Sequence, residues 1–307
     1  MKILVFTEKP FAKAAVKAIE NTVNASGNEL ELVEMGTRDD FLAAMKGTNG
    51  LIVRSDKVDG EIMDAAGGDL KVIVRAGAGY DNIDLEAATE RKICVMNTPG
   101  QNSNAVAELV FGMIVMMCRN QYNGKSGSEL RSKSLGIYAY GQVGRNVARI
   151  AKGFDMNISA LDKFVDDAVM EADGVKPVHD VEKLFSNNDF VSLHIPATPE
   201  TKGSIGYDLV MKMPKGGVLV NTARKEVIDE EGLMRALEER PDLRYVSDIK
   251  PDSAEDFEKK FGARVFFTPK KMGAQTAEAN FNAGVAAAEQ AIAYLKDGWD
   301  KYQINKF

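Results

Sequence analysis

The sequence predicts an α/β protein of two doubly wound parallel-sheet domains, and three observations carry that prediction. Short β-forming runs alternate with helical patterns through the first hundred residues. A polar stretch containing Gly and Ser, "QYNGKSGSELRSKS" (121–134), precedes a second series of the same kind. The strands of that second series are apolar along their whole length. Alternation at this pace makes βαβ units, and strands without a polar face belong in a sheet covered on both sides. The 307 residues suffice for two domains, each with its own core.

Taken in order, the first series places strands at "KILVF" (2–6), "ELELVEM" (29–35), "GLIVRS" (50–55), "LKVIVRAG" (70–77) and "ICVMNT" (93–98). Helical patterns such as "FAKAAVKAIENTV", "DDFLAAMKG" and "EIMDAAGG" lie between them. "SNAVAELVFGMIVMMCRN" (103–120) then reads as one long helix. Its apolar run is about half a membrane span, so it predicts a core helix and not a crossing. The second series places strands in "LGIYAY", "NISALDK", "DFVSLHIP", "GGVLVNTA", "LRYVSDI" and "RVFFTP". No repeat of 20 to 50 residues is present.

Composition narrows the classes of function. Hydrophobic residues make up 45% and charged residues 27%, an ordinary globular balance. The formal charge of -6 argues against nucleic acid, whose binding depends on clustered Lys and Arg. Cys94 and Cys118 show no CxxC spacing and suggest no disulfide framework, which favours a reduced cytoplasmic compartment. The apolar run in "MKILVFTEKP" is too short for a signal peptide. With only His179 and His194, and no ligand spacing, a metal site is not expected.

The chemistry begins at "LGIYAYGQVGRNVARIA" (135–151), a strand running into a small-residue turn and then a helix. It follows the G-x-G-x-x-G pattern with Ala139 in the first glycine position and Gly141 and Gly144 retained. Glycine there permits close approach of the backbone to a pyrophosphate, and the helix N-terminus offers N–H groups to it. Asp162 lies 23 positions beyond Ala139 (162 − 139), near the spacing of a carboxylate that binds ribose hydroxyls. The expected cofactor is NAD; Lys163 beside the carboxylate leaves some NADP use open. A bare strand-to-helix turn is the bland alternative.

Four further segments decide between these: "VRAGAGYDNIDLEAA" (74–88), "VMNTPGQNSNAVAEL" (95–109), "VSLHIPATPETKG" (191–203) and "NTARKEVIDEEGL" (221–233). Through them the chain resembles the D-isomer-specific 2-hydroxyacid dehydrogenase family over essentially its whole length. The resemblance implies a flavodoxin-like substrate domain at 1–97 plus 277–307 and a Rossmann NAD-binding domain at 98–276. It implies a homodimer, with the short 121–134 connection bearing on its contacts; since the chain stops where the substrate domain closes, the C-terminal regulatory domain of many family members is expected to be absent. It also implies oxidation or reduction at C2 of a D-2-hydroxy acid.

Roles then follow residue by residue. Arg224 matches the family's substrate arginine, and a guanidinium fork suits a carboxylate with an adjacent oxygen. Arg54 and Ser55, and Arg75, end two strands of the first domain, where ligands of parallel sheets bind. Two arginines there suit a second anionic group, and phosphate is the obvious candidate. Gly77 in "AGAG" can bring backbone N–H groups to the substrate, while Asn102 matches a family position that adds a hydrogen bond. By resemblance Ala78, Gln142, Val143, Thr222, Ala223, Asp248, Gly273 and Ala274 line the NAD pocket, with Asp248 toward the nicotinamide carboxamide. His194 matches a position beside the cofactor, and His179 reads as a solvated loop residue.

One departure stands out. The family ends its last cofactor-domain strand with Thr-Pro-His and places an orienting Glu about 29 residues past the substrate arginine. Here the strand ends "TPKKMGA" (268–274), and the Glu position falls on Ser253. Counting back from "GA" puts Lys271 at the histidine position; counting forward from "TP" would choose Lys270. Loss of both partners together favours a lysine as proton carrier over an inactive NAD(H)-binding protein. Imidazole needs a partner to fix its tautomer, whereas an amine has none to fix. Activity on unphosphorylated 2-hydroxy acids is the nearest enzymatic alternative.

Overall fold

A computed structural model describes residues 1–307. Its contacts divide the chain into two units, Met1–Asn102 with Thr276–Phe307, and Ser103–Gln275. No helix is long and apolar enough to cross a membrane.

The first unit is built on a five-stranded sheet: β1 (Lys2–Thr7), β2 (Glu29–Glu34), β3 (Gly50–Val53), β4 (Val72–Arg75) and β5 (Cys94–Asn97). All pairings are parallel, in the order β2-β1-β3-β4-β5. This is the flavodoxin order. The period of two along β1 sorts its side chains between two cores. Ile3 and Val5 meet Ala15, Ile19, Ala283 and Ala287. Leu4 and Phe6 meet Phe41, Met45 and Ile62, with Phe6 stacked on Phe41 at 3.8 Å between ring centroids. Ala279, Ala283, Ala287 and Ala291 recur at i+4 along the helix Ala277–Asp297 and are buried, so the returning C-terminal helix presents a smooth stripe to this core.

The second unit carries seven strands: β6 (Ser134–Tyr138), β7 (Asn157–Leu161), β8 (Lys176–Pro177), β9 (Phe190–Leu193), β10 (Val218–Asn221), β11 (Arg244–Ser247) and β12 (Val265–Phe267). Their order is β12-β11-β10-β9-β6-β7-β8, again all parallel. The order reverses between β6 and β9, which makes their carboxyl ends the topological switch point of a dinucleotide-binding sheet. One face packs Ile137, Ala160, Val220 and Val246 against the helices Ser103–Cys118 and Gln142–Gly153. The other packs Leu193, Leu219, Tyr245 and Phe267 against Leu233, Leu237 and Phe257.

The long helix ends earlier than its sequence predicts, at Cys118 rather than at residue 120. Asn120, Gln121 and Tyr122 follow at φ 50°, 51° and 57°, a left-handed turn made without glycine. Such backbone costs about 1–2 kcal/mol per residue. Tertiary bonds offset it: Arg244 donates to Asn120 Oδ1 (3.2 Å) and to the Met117 carbonyl, and Gln121 Nε2 donates to the Ala263 and Val265 carbonyls (3.2 and 3.3 Å).

Candidate active site

In the second unit the sequence-predicted residues converge on the carboxyl ends of the strands. Ala139 to Gly144 follow β6, Asp162 follows β7 and His194 follows β9. Thr222, Ala223 and Arg224 follow β10, Asp248 follows β11, and Lys271, Gly273 and Ala274 follow β12. β7, β9, β10 and β11 are buried through their last residues, so the change to loop geometry puts functional groups at the sheet rim.

The β6 turn shows what the missing glycine does. Ala139 stands at φ 81°, a left-handed conformation that glycine adopts without penalty and alanine does not. Gly144 is required for a different reason, since a Cβ there would sit 2.3 Å from the Ala139 carbonyl oxygen. At Gly141 nothing lies within 4 Å of such a Cβ, so the turn opens outward. Gln142 and Val143 begin a helix that no side chain caps, leaving first-turn N–H groups for an anion. Asp162 accepts from the backbone N–H of Tyr140 (2.7 Å) and of Phe164 (2.8 Å), which fixes the carboxylate against this turn.

At the end of β9, His194 lies half-buried with Ser192 Oγ 3.0 Å from Nε2 and Thr222 Oγ1 3.4 Å from Nδ1. Burial pushes its pKa down to about 3. His194 is therefore held as the neutral imidazole at physiological pH.

The ends of β10, β11 and β12 form one connected group. Lys271 Nζ donates to the Ala223 carbonyl at 3.0 Å, and Arg224 Nη1 donates to the same oxygen at 3.0 Å. Asp248 is wholly buried; its Oδ2 accepts from Gly273 N at 2.7 Å, while Oδ1 has no partner. Burial raises the Asp248 pKa, opposed by Lys271, by the Gly273 and Met272 N–H groups, and by Arg224. The sequence reading gave Lys271 no carboxylate neighbour; the fold brings Asp248 within electrostatic reach of it. Lys270 is exposed, and Ser253, at the position expected for the orienting Glu, donates its N–H to Glu230 Oε2 at 2.8 Å.

In the first unit, Arg54 and Arg75 end β3 and β4. Arg54 is clamped: Nη1 donates to the Lys9 and Pro10 carbonyls (2.9 Å each), and Nη2 donates to Asn280 Oδ1 (2.6 Å). Arg75 Nε donates to the Arg54 carbonyl at 2.9 Å, and the guanidinium lies over Gly77, where any Cβ would overlap it. Ser55 and Ala78 are exposed, with the Ala78 carbonyl taken by Asn97 Nδ2 at 2.6 Å, and Asn102 is half-buried.

Residues 107–269, more than half of the chain, match the model of the D-isomer specific 2-hydroxyacid dehydrogenase, NAD binding domain. The chain belongs to this family. D-3-phosphoglycerate dehydrogenase of Methanocaldococcus jannaschii is 36% identical over 96% of the chain and 58% of that protein. Hydroxypyruvate reductase of Thermotoga maritima is 33% identical over 95% of the chain and 98% of its own length. Among solved structures, NAD+-bound 3-phosphoglycerate dehydrogenase of Entamoeba histolytica is 48% identical, with a TM-score of 0.90 over 100% of this chain and 99% of that one. The chain thus spans 58% of the length of the archaeal phosphoglycerate dehydrogenases it matches.

The residues of this family member fit NAD. The outward-opening glycine turn, the uncapped helix start and the orphaned, buried Asp248 Oδ1 each present to a ligand what they lack within the protein. Three asparagines escaped the sequence reading: Asn97 and Asn280, which hold the first unit's strand-end loops, and Asn221, buried at the end of β10. A polar residue closing an otherwise apolar strand was the available signal for Asn221.

Proposed function

We propose that this protein oxidises 3-phospho-D-glycerate to 3-phosphohydroxypyruvate with NAD, the opening reaction of serine biosynthesis, as a cytoplasmic homodimer. The observation that carries the reading is the pair of guanidinium groups at the ends of β3 and β4. A substrate with a single carboxylate is served by Arg224 alone; Arg54 and Arg75 are the groups for a second anion. Arg54 has three of its five N–H donors committed, which leaves Nε and one Nη2 hydrogen for phosphate. The 48% identity to a phosphoglycerate dehydrogenase of the same length supports the choice.

NAD, when bound, supplies the hydride acceptor. Arg224 holds the carboxylate and the C2 oxygen. Neutral Lys271 takes the proton of the C2 hydroxyl as the C2–H bond gives up its hydride, leaving a carbonyl. The resulting ammonium passes its proton to solvent at an exposed loop position. In reduction the same ammonium protonates the C2 oxygen. Asp248 Oδ1, buried without a partner, would hold the nicotinamide carboxamide of NAD.

The Thermotoga relative supports a second reading, in which unphosphorylated hydroxypyruvate is the substrate. Following NADH consumption with 3-phosphohydroxypyruvate beside hydroxypyruvate separates the two. The proposal expects kcat/KM at least about 100-fold higher for the phosphorylated acid, the worth of one or two charged hydrogen bonds. Equal values would overturn it.

A further inference from the structure

Asn221 is the last residue of β10 and has no exposed surface. Its carboxamide makes two bonds across the loop that follows. Oδ1 accepts from Ala223 N at 2.9 Å, and Nδ2 donates to the Arg224 carbonyl at 2.9 Å. The first closes an Asx turn, a common way for Asn to start a loop. The second is not needed for the turn. It reaches past Ala223, so the peptide group joining Ala223 to Arg224 is braced on both sides. The amide orientation is dictated, since exchanging O and N would set donor against donor and acceptor against acceptor.

The braced peptide carries the oxygen to which both Lys271 Nζ and Arg224 Nη1 donate, each at 3.0 Å. A carbonyl oxygen has two lone pairs and can take both. We infer that Asn221 is a positioning residue, fixing the Ala223 carbonyl as a common anchor for the proton-carrying amine and the substrate guanidinium. This rests on the reading of Lys271 given above.

A carbonyl suits an amine in this task. A neutral amine can spend one N–H on the anchor and turn its lone pair elsewhere. An ammonium spends one N–H on the same oxygen. The anchor thus works in both protonation states, and being uncharged it adds nothing to the pull that Asp248 exerts toward the charged one. An imidazole with an orienting Glu solves the same problem with a second side chain; here the backbone does it, and Asn221 holds the backbone.

The test uses the full-length protein. Asn221→Ala is compared with wild type in kcat, in KM for NADH, and in the rate at which acetic anhydride acylates Lys271, followed by peptide mass spectrometry. Acylation reads the amine's restraint without needing turnover. The expected result is a fall in kcat of about 10- to 100-fold, KM for NADH unchanged, and several-fold faster acylation of Lys271 with Lys270 unaffected. The same substitution made in Lys271→Met is expected to add only the smaller loss that runs through Arg224, which shares the anchor. Unchanged acylation of Lys271, or a double variant that loses the full product of the two single losses, would overturn the inference. If Lys271→Met alone retains wild-type kcat, the lysine reading fails, and acylation still decides whether Asn221 restrains the amine. Should Asn221→Ala not fold, Asn221→Asp keeps the shape and the acceptor toward Ala223 N while removing the donor, and carries the same measurements.

Discussion

At the end of β3, Arg54 is gripped by three uncharged oxygens, two carbonyls and a side-chain amide. At the end of β12, Lys271 stands at an exposed loop position and reaches the Ala223 carbonyl. Both are cations at the rim of a parallel sheet, and their settings differ as the tasks proposed for them differ. A guanidinium that only recognises an anion never changes charge, and clamping lowers the entropy lost on binding. An amine that trades a proton must face solvent or substrate in both of its states. Rigid, uncharged oxygens therefore hold the first directly, with Asp56 and Glu34 adding charge nearby, while the second reaches such an oxygen from a loop that keeps a route for the proton.

Breaking the proton-carrying side should give the largest effect. Lys271→Met is expected to lower kcat about 10²- to 10⁴-fold, the range for losing a general acid–base, with Lys270→Met near wild type in the same assay. If Lys270→Met is the inactive one, the register of the loop after β12 is the other way. On the recognition side, Arg54→Gln should raise KM for the phosphorylated acid about 10- to 100-fold, by loss of charged hydrogen bonds, and leave KM for hydroxypyruvate little changed. It should also lower Tm, because the Lys9 and Pro10 carbonyls lose their donor.

Asp248→Asn sharpens the contrast further. Both carboxylate oxygens of Asp248 can accept; an asparagine that keeps its oxygen toward Gly273 N turns an NH2 toward the carboxamide. NADH binding measured by fluorescence titration should weaken about 10-fold. Stability should move the opposite way. The folded pKa of Asp248 is raised by burial above the unfolded value, so its favourable contribution is complete below the unfolded pKa and is lost as pH rises through the folded one. At neutral pH the buried charge is a net penalty, and Asp248→Asn should raise Tm there, with the difference closing as pH falls below about 4. The smallest effect belongs to the β6 turn: Ala139→Gly relieves the left-handed strain and should add about 1 kcal/mol of stability by denaturant titration.

Much of this was legible in the chain. The alternation of periods predicted both sheets because a βαβ unit writes its strands and helices in sequence order. The glycine pattern predicted the turn after β6, since Gly141 and Gly144 answer to backbone geometry that recurs wherever a strand feeds such a helix. The end of the long helix was not legible. "MMCRN" continues a helical pattern, and only Arg244 and Ala263–Val265, more than a hundred residues away, hold Asn120 to Tyr122 in a left-handed turn. The state of His194 was hidden too, because desolvation depends on what packs around β9 and not on its neighbours in sequence.

By itself, then, the sequence determined the two parallel sheets, the family and the cofactor turn, and it supplied the lysines at 270 and 271 on which the proposal turns. These depend on local periodicity and on short motifs whose geometry is carried by adjacent residues. The tertiary structure alone decided that Lys271 joins Arg224 on one carbonyl oxygen and that Asp248 keeps a buried oxygen without a partner. Those facts depend on the register of β10, β11 and β12 beside one another, which brings residues 221, 248 and 271 to one rim although no local pattern links them.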